Sequence, residues 1–345
     1  MPRVTGQKST GGMTTAYLTD EETDMLALRL NLTQPGLDPS EMSARHQAAL
    51  EMCAHVEEHG FDLVNLEEHH GVDNGWSPAP LALAGLVLGR CSRLPVSIAA
   101  LLLPLHDPIR VAEDIAVLDL ASGGRLSVVL GVGYRPSEYA AHGKDWARRG
   151  ALMDECVDTL LKAWTGEPFD HRGTTVRVTP RPFTQPHPPV MIGGSSKVSA
   201  RRAIRFDLPF APAGHLPDIA SYYHEQCAAS GVEARCRMPG PGVTMMFIHE
   251  DPDEAWATLG HHLLHEAVTY SAWQTPDVRS AHRSSATTVA ELRAEGTYQI
   301  LTPEQALAHG QHAGFAIHAL CGGLPIAEGW RCLTLFTDKV LPFLR

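Results

Sequence analysis

From Asp24 onward, short apolar runs alternate with longer stretches in which apolar residues recur every three or four positions, the patterns of strands and amphipathic helices in turn. Residues 25–32 read as a strand, 40–59 as a helix with Ser40 as N-cap, 61–66 as a second strand and 78–91 as a second helix. A third strand is expected at 96–103, then a helix at 108–121 that starts on Pro108 and is closed by Gly123-Gly124, then a fourth strand at 126–130. After a helix at 149–164 the rhythm breaks. The strand-like 171–178 and the proline-rich 180–189 suggest a hairpin and an extended arm placed before the fifth strand, 190–192. Alternation then resumes: helix 197–205, strand 208–211, helix 217–230, strand 243–249, helix 253–273, strand 316–320 and a closing helix at 328–341.

Strand and helix alternating eight times argue for an α/β fold, a parallel sheet closed into a (β/α)8 TIM barrel, with an open doubly wound sheet as the main alternative. Residues 24–345 read as one barrel domain with insertions near 166–189 and 274–302, and the polar, Thr- and Gly-rich residues 1–23 as a disordered leader. Apolar residues make up 44% of the 345, enough for a large core, while no apolar run reaches membrane-spanning length. The 28 Lys and Arg against 39 Asp and Glu give a formal charge of −11, which disfavours nucleic acid as a partner. Seven scattered cysteines without a CxxC fit a reduced, cytoplasmic setting.

Chemistry concentrates first at Glu68-His69-His70, an acid and two histidines where the second strand ends before Gly71. In a parallel barrel that end carries the active site, although paired histidines also cap strands in ordinary loops. Gly131-Val132-Gly133-Tyr134-Arg135-Pro136 follows the fourth strand. It fails as a dinucleotide fingerprint, because Pro136 replaces the third glycine and no helix is expected before about residue 145. Such a loop still lets backbone approach a ligand. Gly193-Gly194-Ser195-Ser196 joins a strand to a helix, so its glycines, hydroxyls and helix start suit a phosphate, or else form a common serine-capped turn. His261 and His265 have metal-ligand spacing, but without the glutamate of HExxH, and the first strand ends in Asn31-Leu32-Thr33 rather than histidines. No metal is expected there, and a metal-dependent barrel hydrolase is the reading from another reaction class. His106 follows the third strand, where it either faces the site or sits against the start of the next helix.

With these residues in place, the chain resembles the bacterial luciferase-like flavin-dependent monooxygenases. The resemblance runs through Gly60-Phe61-Asp62 to Glu68-His69-His70, Leu103-Pro104-Leu105-His106-Asp107-Pro108, Ser122-Gly123-Gly124-Arg125, Gly131-Val132-Gly133-Tyr134 and Gly193-Gly194-Ser195-Ser196. It implies that His69 lies beside the flavin ring, with Glu68 and His70 as its neighbours. It further implies that Ala99-Ala100 form a non-prolyl cis peptide under the ring, that Gly133, Tyr134, Arg135 and Gly193 belong to the cofactor site, and that Gly194, Ser195 and Ser196 grip its phosphate. Where luciferase-type members carry an arginine in the fourth strand's loop, this chain has Val132, with Arg135 three residues on. The implied activity is a two-component monooxygenase: reduced FMN arrives from a separate NAD(P)H-dependent flavin reductase, dioxygen adds to give a 4a-hydroperoxide, and a small organic substrate is oxygenated. An 8-hydroxy-5-deazaflavin used for hydride transfer is the alternative within the family, and a homodimer is the implied assembly.

Overall fold

The computed structural model describes residues 25–240, 245–275, 278–310 and 314–344. The expected leader, 1–23, lies outside them, as do residues 243 and 244 of the seventh expected strand. The order of elements is β1 (Leu26–Leu30), α1 (Pro39–Glu58), β2 (Leu63–Leu66), α2 (Pro80–Arg90), β3 (Val96–Leu101), α3 (Pro108–Ser122), β4 (Leu126–Leu130), α4 (Pro136–Ala141) and α5 (Arg149–Trp164). The hairpin β5 (Phe169–His171) and β6 (Thr174–Val176) follows, then β7 (Val190–Gly194), α6 (Lys197–Arg205), β8 (Phe210–Pro212), α7 (Pro217–Ser230), β9 (Met245–Ile248) and α8 (Pro252–Trp273). The chain finishes with α9 (Val289–Glu295), β10 (Tyr298–Leu301), α10 (Pro303–Gly310), β11 (Phe315–Ile317) and α11 (Ile326–Lys339).

Among the described residues, nine strands form one sheet in the order β10-β9-β11-β1-β2-β3-β4-β7-β8. Its strand pairs are parallel, so this is the α/β architecture of a (β/α)8 barrel. Along each central strand the residues alternate. Leu28, Leu30, Val64, Leu66, Val96, Ile98, Val128, Leu130 and Ile192 are buried in the apolar core, each worth roughly 1.5–3 kcal/mol on full burial. Most of the alternate positions are small or polar, as at Ala27, Arg29, Asn65, Ser97, Ala99, Ser127 and Gly193, with Val129 and Met191 as apolar exceptions.

Registers place the functional segments at one end. Leu30 pairs with Leu66, Leu66 with Ile98, Ala99 with Val129, and Leu130 with Ile192. The residues that follow in each strand therefore emerge together, at the carboxyl ends where barrel sites collect.

Three expectations need correction. The N-cap of α1 is Asp38, not Ser40: its carboxylate accepts from the N–H groups of Ser40 and Glu41, both at 3.0 Å, and Pro39 takes the first helical position. A helix does open before residue 145, because Pro136 starts α4 with Glu138 in its first turn. The segment 274–302, read as an insertion, contains α9 and β10, and β10 pairs with β9 from Tyr298↔Met245 to Leu301↔Ile248. Its latter part is thus main-sheet structure. The expected hairpin within 166–189 is present as β5 and β6. No helix among the described residues is long and apolar enough to cross a membrane.

Candidate active site

Successive residues beyond β2 point to different partners, as an extended chain requires. Glu67 pairs with Arg29 of β1. Glu68 is buried, its Oε2 accepting from the Leu102 N–H at 2.5 Å and its Oε1 from Nε2 of His70 at 2.7 Å and of His106 at 2.6 Å. Burial alone would raise its pKa; the bonds from His106 and His70 override it and hold the carboxyl at about 2.

His69 faces the other way. Its Nδ1 is 3.0 Å from Oε1 of Glu138 and its Nε2 is 3.1 Å from the Tyr134 hydroxyl. Burial works against the Glu138 charge, but the bond from His69, with the His70 N–H and Arg135, keeps its pKa below the ordinary carboxylate value. An ionised carboxylate only accepts, so the ring proton sits on Nδ1 and Nε2 accepts from Tyr134. Burial, followed by neighbouring Tyr270, pushes the Tyr134 phenol well above its ordinary pKa, so it remains a donor. Four aromatic rings surround the imidazole: Trp273 at 4.6 Å, Trp76 at 5.4 Å, Tyr134 at 5.6 Å and Tyr270 at 5.8 Å between centroids.

Tyr270 and Trp273 occupy the last turn of α8, and one turn earlier Glu266 is anchored in the core. Its Oε2 accepts from Asn31 Nδ2 at 2.7 Å, and its Oε1 faces Arg29 at 3.4 Å and His318 at 3.5 Å. Burial opposes the charge, yet His318 and Arg29 depress the Glu266 pKa far below the carboxylate range.

Beside His69 the strand ends are nearly bare. Ala99 is exposed although it lies within the sheet, and the Ala99–Ala100 peptide bond is cis. A Cβ at Gly131 would stand 2.8 Å from the Ala100 Cβ, and one at Gly193 would stand 2.7 Å from Val129 Cγ1. The carboxyl ends of β3, β4 and β7 therefore carry small groups.

The structure thus brings Glu68, His69, His70, Tyr134 and Arg135 together. Arg135 donates to the His70 carbonyl at 2.8 Å and to Glu138 at 3.0 Å, and its guanidinium lies 4.5 Å from the centre of the Trp273 ring. Gly133 turns the chain after β4 with φ of 76°. Gly193 and Gly194 end β7, paired with Ala211 and Pro212 of β8, and Ser195 and Ser196 follow. Ser196 caps α6 by accepting from the Ser199 N–H at 3.3 Å in a capping box, so its hydroxyl already has a structural use. His265 of the i, i+4 pair meets Asn74 Nδ2 at 3.2 Å. Sequence reasoning missed Glu138, although Pro136 followed by an acid two residues later marks a helix start. It also left His106 and the aromatic wall unplaced.

The family model for luciferase-like monooxygenases matches residues 28–323. The chain is 30% identical over 162 residues to the uncharacterized protein y4vJ of Sinorhizobium fredii, a region covering 46% of each chain. It is 32% identical over 159 residues to the alkanal monooxygenase alpha chain of Photorhabdus laumondii, covering 44% of each. It therefore spans less than half the length of either relative. Among solved structures, the monooxygenase RslO1 of Streptomyces bottropensis has a TM-score of 0.72 at 21% identity, covering 93% of this chain and 100% of that one. The oxygenating constituent of 3,6-diketocamphane monooxygenase of Pseudomonas putida, in complex with FMN, gives 0.68 at 17%, covering 93% and 98%. An F420-dependent secondary alcohol dehydrogenase with an F420-acetone adduct gives 0.66 at 17%, covering 94% and 99%. At these identities the solved structures speak for the fold. With the family model covering most of its length, the chain belongs to the luciferase-like monooxygenase family.

Proposed function

We propose that this enzyme binds reduced FMN at the carboxyl ends of β3, β4 and β7 and, with dioxygen, oxygenates a small organic substrate, the reduced flavin coming from a separate NAD(P)H-dependent reductase. The observation that carries the reading is the aligned set Glu138–His69–Tyr134 beside a small-residue floor. A planar ring would lie over Ala99, Ala100, Gly131 and Gly193, the two glycines being positions where a Cβ would already meet Ala100 and Val129. Two further polar groups suit a ligand: Trp76 Nε1 and the Gln274 amide are buried and have no partner among the described residues.

The bound flavin would supply the oxygen-activating chemistry. His69 would move a proton at Nε2, in concert with the Tyr134 hydroxyl. Glu138 would fix the tautomer and stabilise the imidazolium whenever the ring is charged. Trp76, Tyr270 and Trp273 would keep water out. Glu68 and His70 would hold the strand end in place.

Two measurements bear on this directly. Glu138→Ala should lower kcat by about 10–100-fold while KM changes little, because Glu138 acts through His69 rather than on substrate; a KM effect with kcat intact would remove the positioning role. Ser195→Ala should narrow the preference for FMN over riboflavin by about 2–10-fold, the worth of one hydrogen bond. Equal losses for both ligands would place the phosphate elsewhere. Ser195 is the cleaner probe, since Ser196 also caps α6.

A second reading, deazaflavin-dependent hydride transfer, draws on the engagement of Arg135 by Glu138, which leaves the FMN phosphate without that arginine. Titration with reduced FMN and reduced deazaflavin, with and without dioxygen, separates the two. Substrate turnover under anaerobic conditions with deazaflavin would replace the oxygenase reading.

A further inference from the structure

Away from the Glu138–His69–Tyr134 line, another group has metal-ligand chemistry. Glu68 leaves the end of β2, His70 follows two residues on, and His106 closes the single helical turn Leu103–Leu105 after β3. Glu68 Oε1 and the two imidazole nitrogens facing it lie within 4.8 Å of one another. One carboxylate oxygen and two imidazole nitrogens form a common ligand set for divalent zinc, cobalt or iron.

Two features favour a cation here. The second oxygen of Glu68 is held by the Leu102 N–H, so the carboxylate presents Oε1 to both histidines in a fixed orientation. His106 is 26% exposed at its side chain and lines a cavity of about 270 Å³ with Pro104, Lys144 and His171, among others. The cavity offers an entry path and room for a water in the fourth position. The buried trio Glu266, His318 and Cys321 also clusters within 4.8 Å, but Arg29 beside Glu266 opposes a cation, and the cavity lined by His318 and Cys321 is only about 10 Å³.

We propose that Glu68, His70 and His106 form a three-ligand site for a divalent transition metal of the zinc class, with a solvent ligand facing the cavity. The metal takes the place of the two hydrogen bonds to Oε1. Each imidazole coordinates through Nε2 with its proton on Nδ1, so neutral rings change tautomer without net proton release or change of oxidation state. Bonds of about 2.0–2.1 Å in a tetrahedral site set the ligand atoms about 3.3–3.4 Å apart, so the present contacts of 2.7 and 2.6 Å need to open by about 0.7 Å. The site clamps the end of β2 to the turn after β3. The proposal does not depend on which cofactor the enzyme uses.

The test uses the full chain, stripped with chelator and titrated with Co²⁺ alone by visible absorbance and with Zn²⁺ alone by calorimetry. One equivalent is expected, with the intense d–d bands of a tetrahedral site and a rise in Tm on Zn²⁺ binding. His106→Ala and His70→Ala should each weaken uptake by at least about 100-fold, and His265→Ala should leave it unchanged. Circular dichroism establishes that each variant is folded, and His106, being partly exposed, is the variant that least disturbs packing. Absence of saturable one-equivalent uptake in the wild-type chain overturns the proposal. So does uptake that persists in both His106→Ala and His70→Ala, or that is lost in His265→Ala.

Discussion

Replacing His69 by alanine is expected to lower substrate turnover by about 10²–10⁴-fold, the range for loss of a general acid–base group, with affinity for reduced FMN changed only a few-fold. The asymmetry follows from placement. His69 is bonded to Glu138 and Tyr134, whereas the proposed floor for the flavin is made by Ala99, Ala100, Gly131 and Gly193. Removing the imidazole leaves that floor standing and breaks the line from the Glu138 carboxylate to the Tyr134 phenol. Stopped-flow absorbance under oxygenated single-turnover conditions, with an independent binding titration, distinguishes the outcomes. Turnover near wild type would discard His69 as the proton-handling group, and a matching collapse of flavin binding would make it a cofactor ligand instead.

The largest expected loss of stability comes from Glu266→Ala, about 3–5 kcal/mol, because it strips one of two carboxylates from a guanidinium buried in the sheet. Arg29 keeps Glu67, but Asn31, His318 and the Gly322 N–H lose their acceptor together. Urea unfolding at neutral pH reads the change as a lower midpoint, and a shift below about 1 kcal/mol would mean that the network relaxes or hydrates. The acid dependence has a defined sign. Glu266 and Glu68 both have folded pKa values below their ordinary ones, so their stabilisation is complete at neutral pH. Both shares begin to fade as pH falls below the ordinary 4.5; the Glu68 share is lost by about 2, and the loss of the Glu266 share continues to still lower pH.

Much of the barrel is legible in the chain because most of the main-sheet strands are short apolar runs and many helices, α1, α2, α3, α4, α7, α8 and α10 among them, begin with a proline. Leu126–Leu130 and the Pro108 start of α3 are found where periodicity puts them. β10 was missed because Tyr298–Leu301 is a short strand in a polar stretch, and its partner β9 lies some fifty residues away, beyond the reach of local pattern. The site divides in the same way. Glu68-His69-His70 is contiguous and visible, whereas Glu138, His106 and Trp273 reach it only through the fold. Ser195 and Ser196 looked equivalent in sequence, and only the geometry assigns the second hydroxyl to a capping box.

Helix α8 has a split duty. Its middle is locked to the sheet through Glu266, and its final turn lays Tyr270 and Trp273 against His69. Changes at those two aromatic positions would therefore reshape the surroundings of His69 while the anchor keeps the helix in place. For laboratory evolution this makes one helical turn a separable cassette: libraries at 270 and 273 can explore new substrates with little risk to folding, whereas diversification one turn earlier would sacrifice the scaffold.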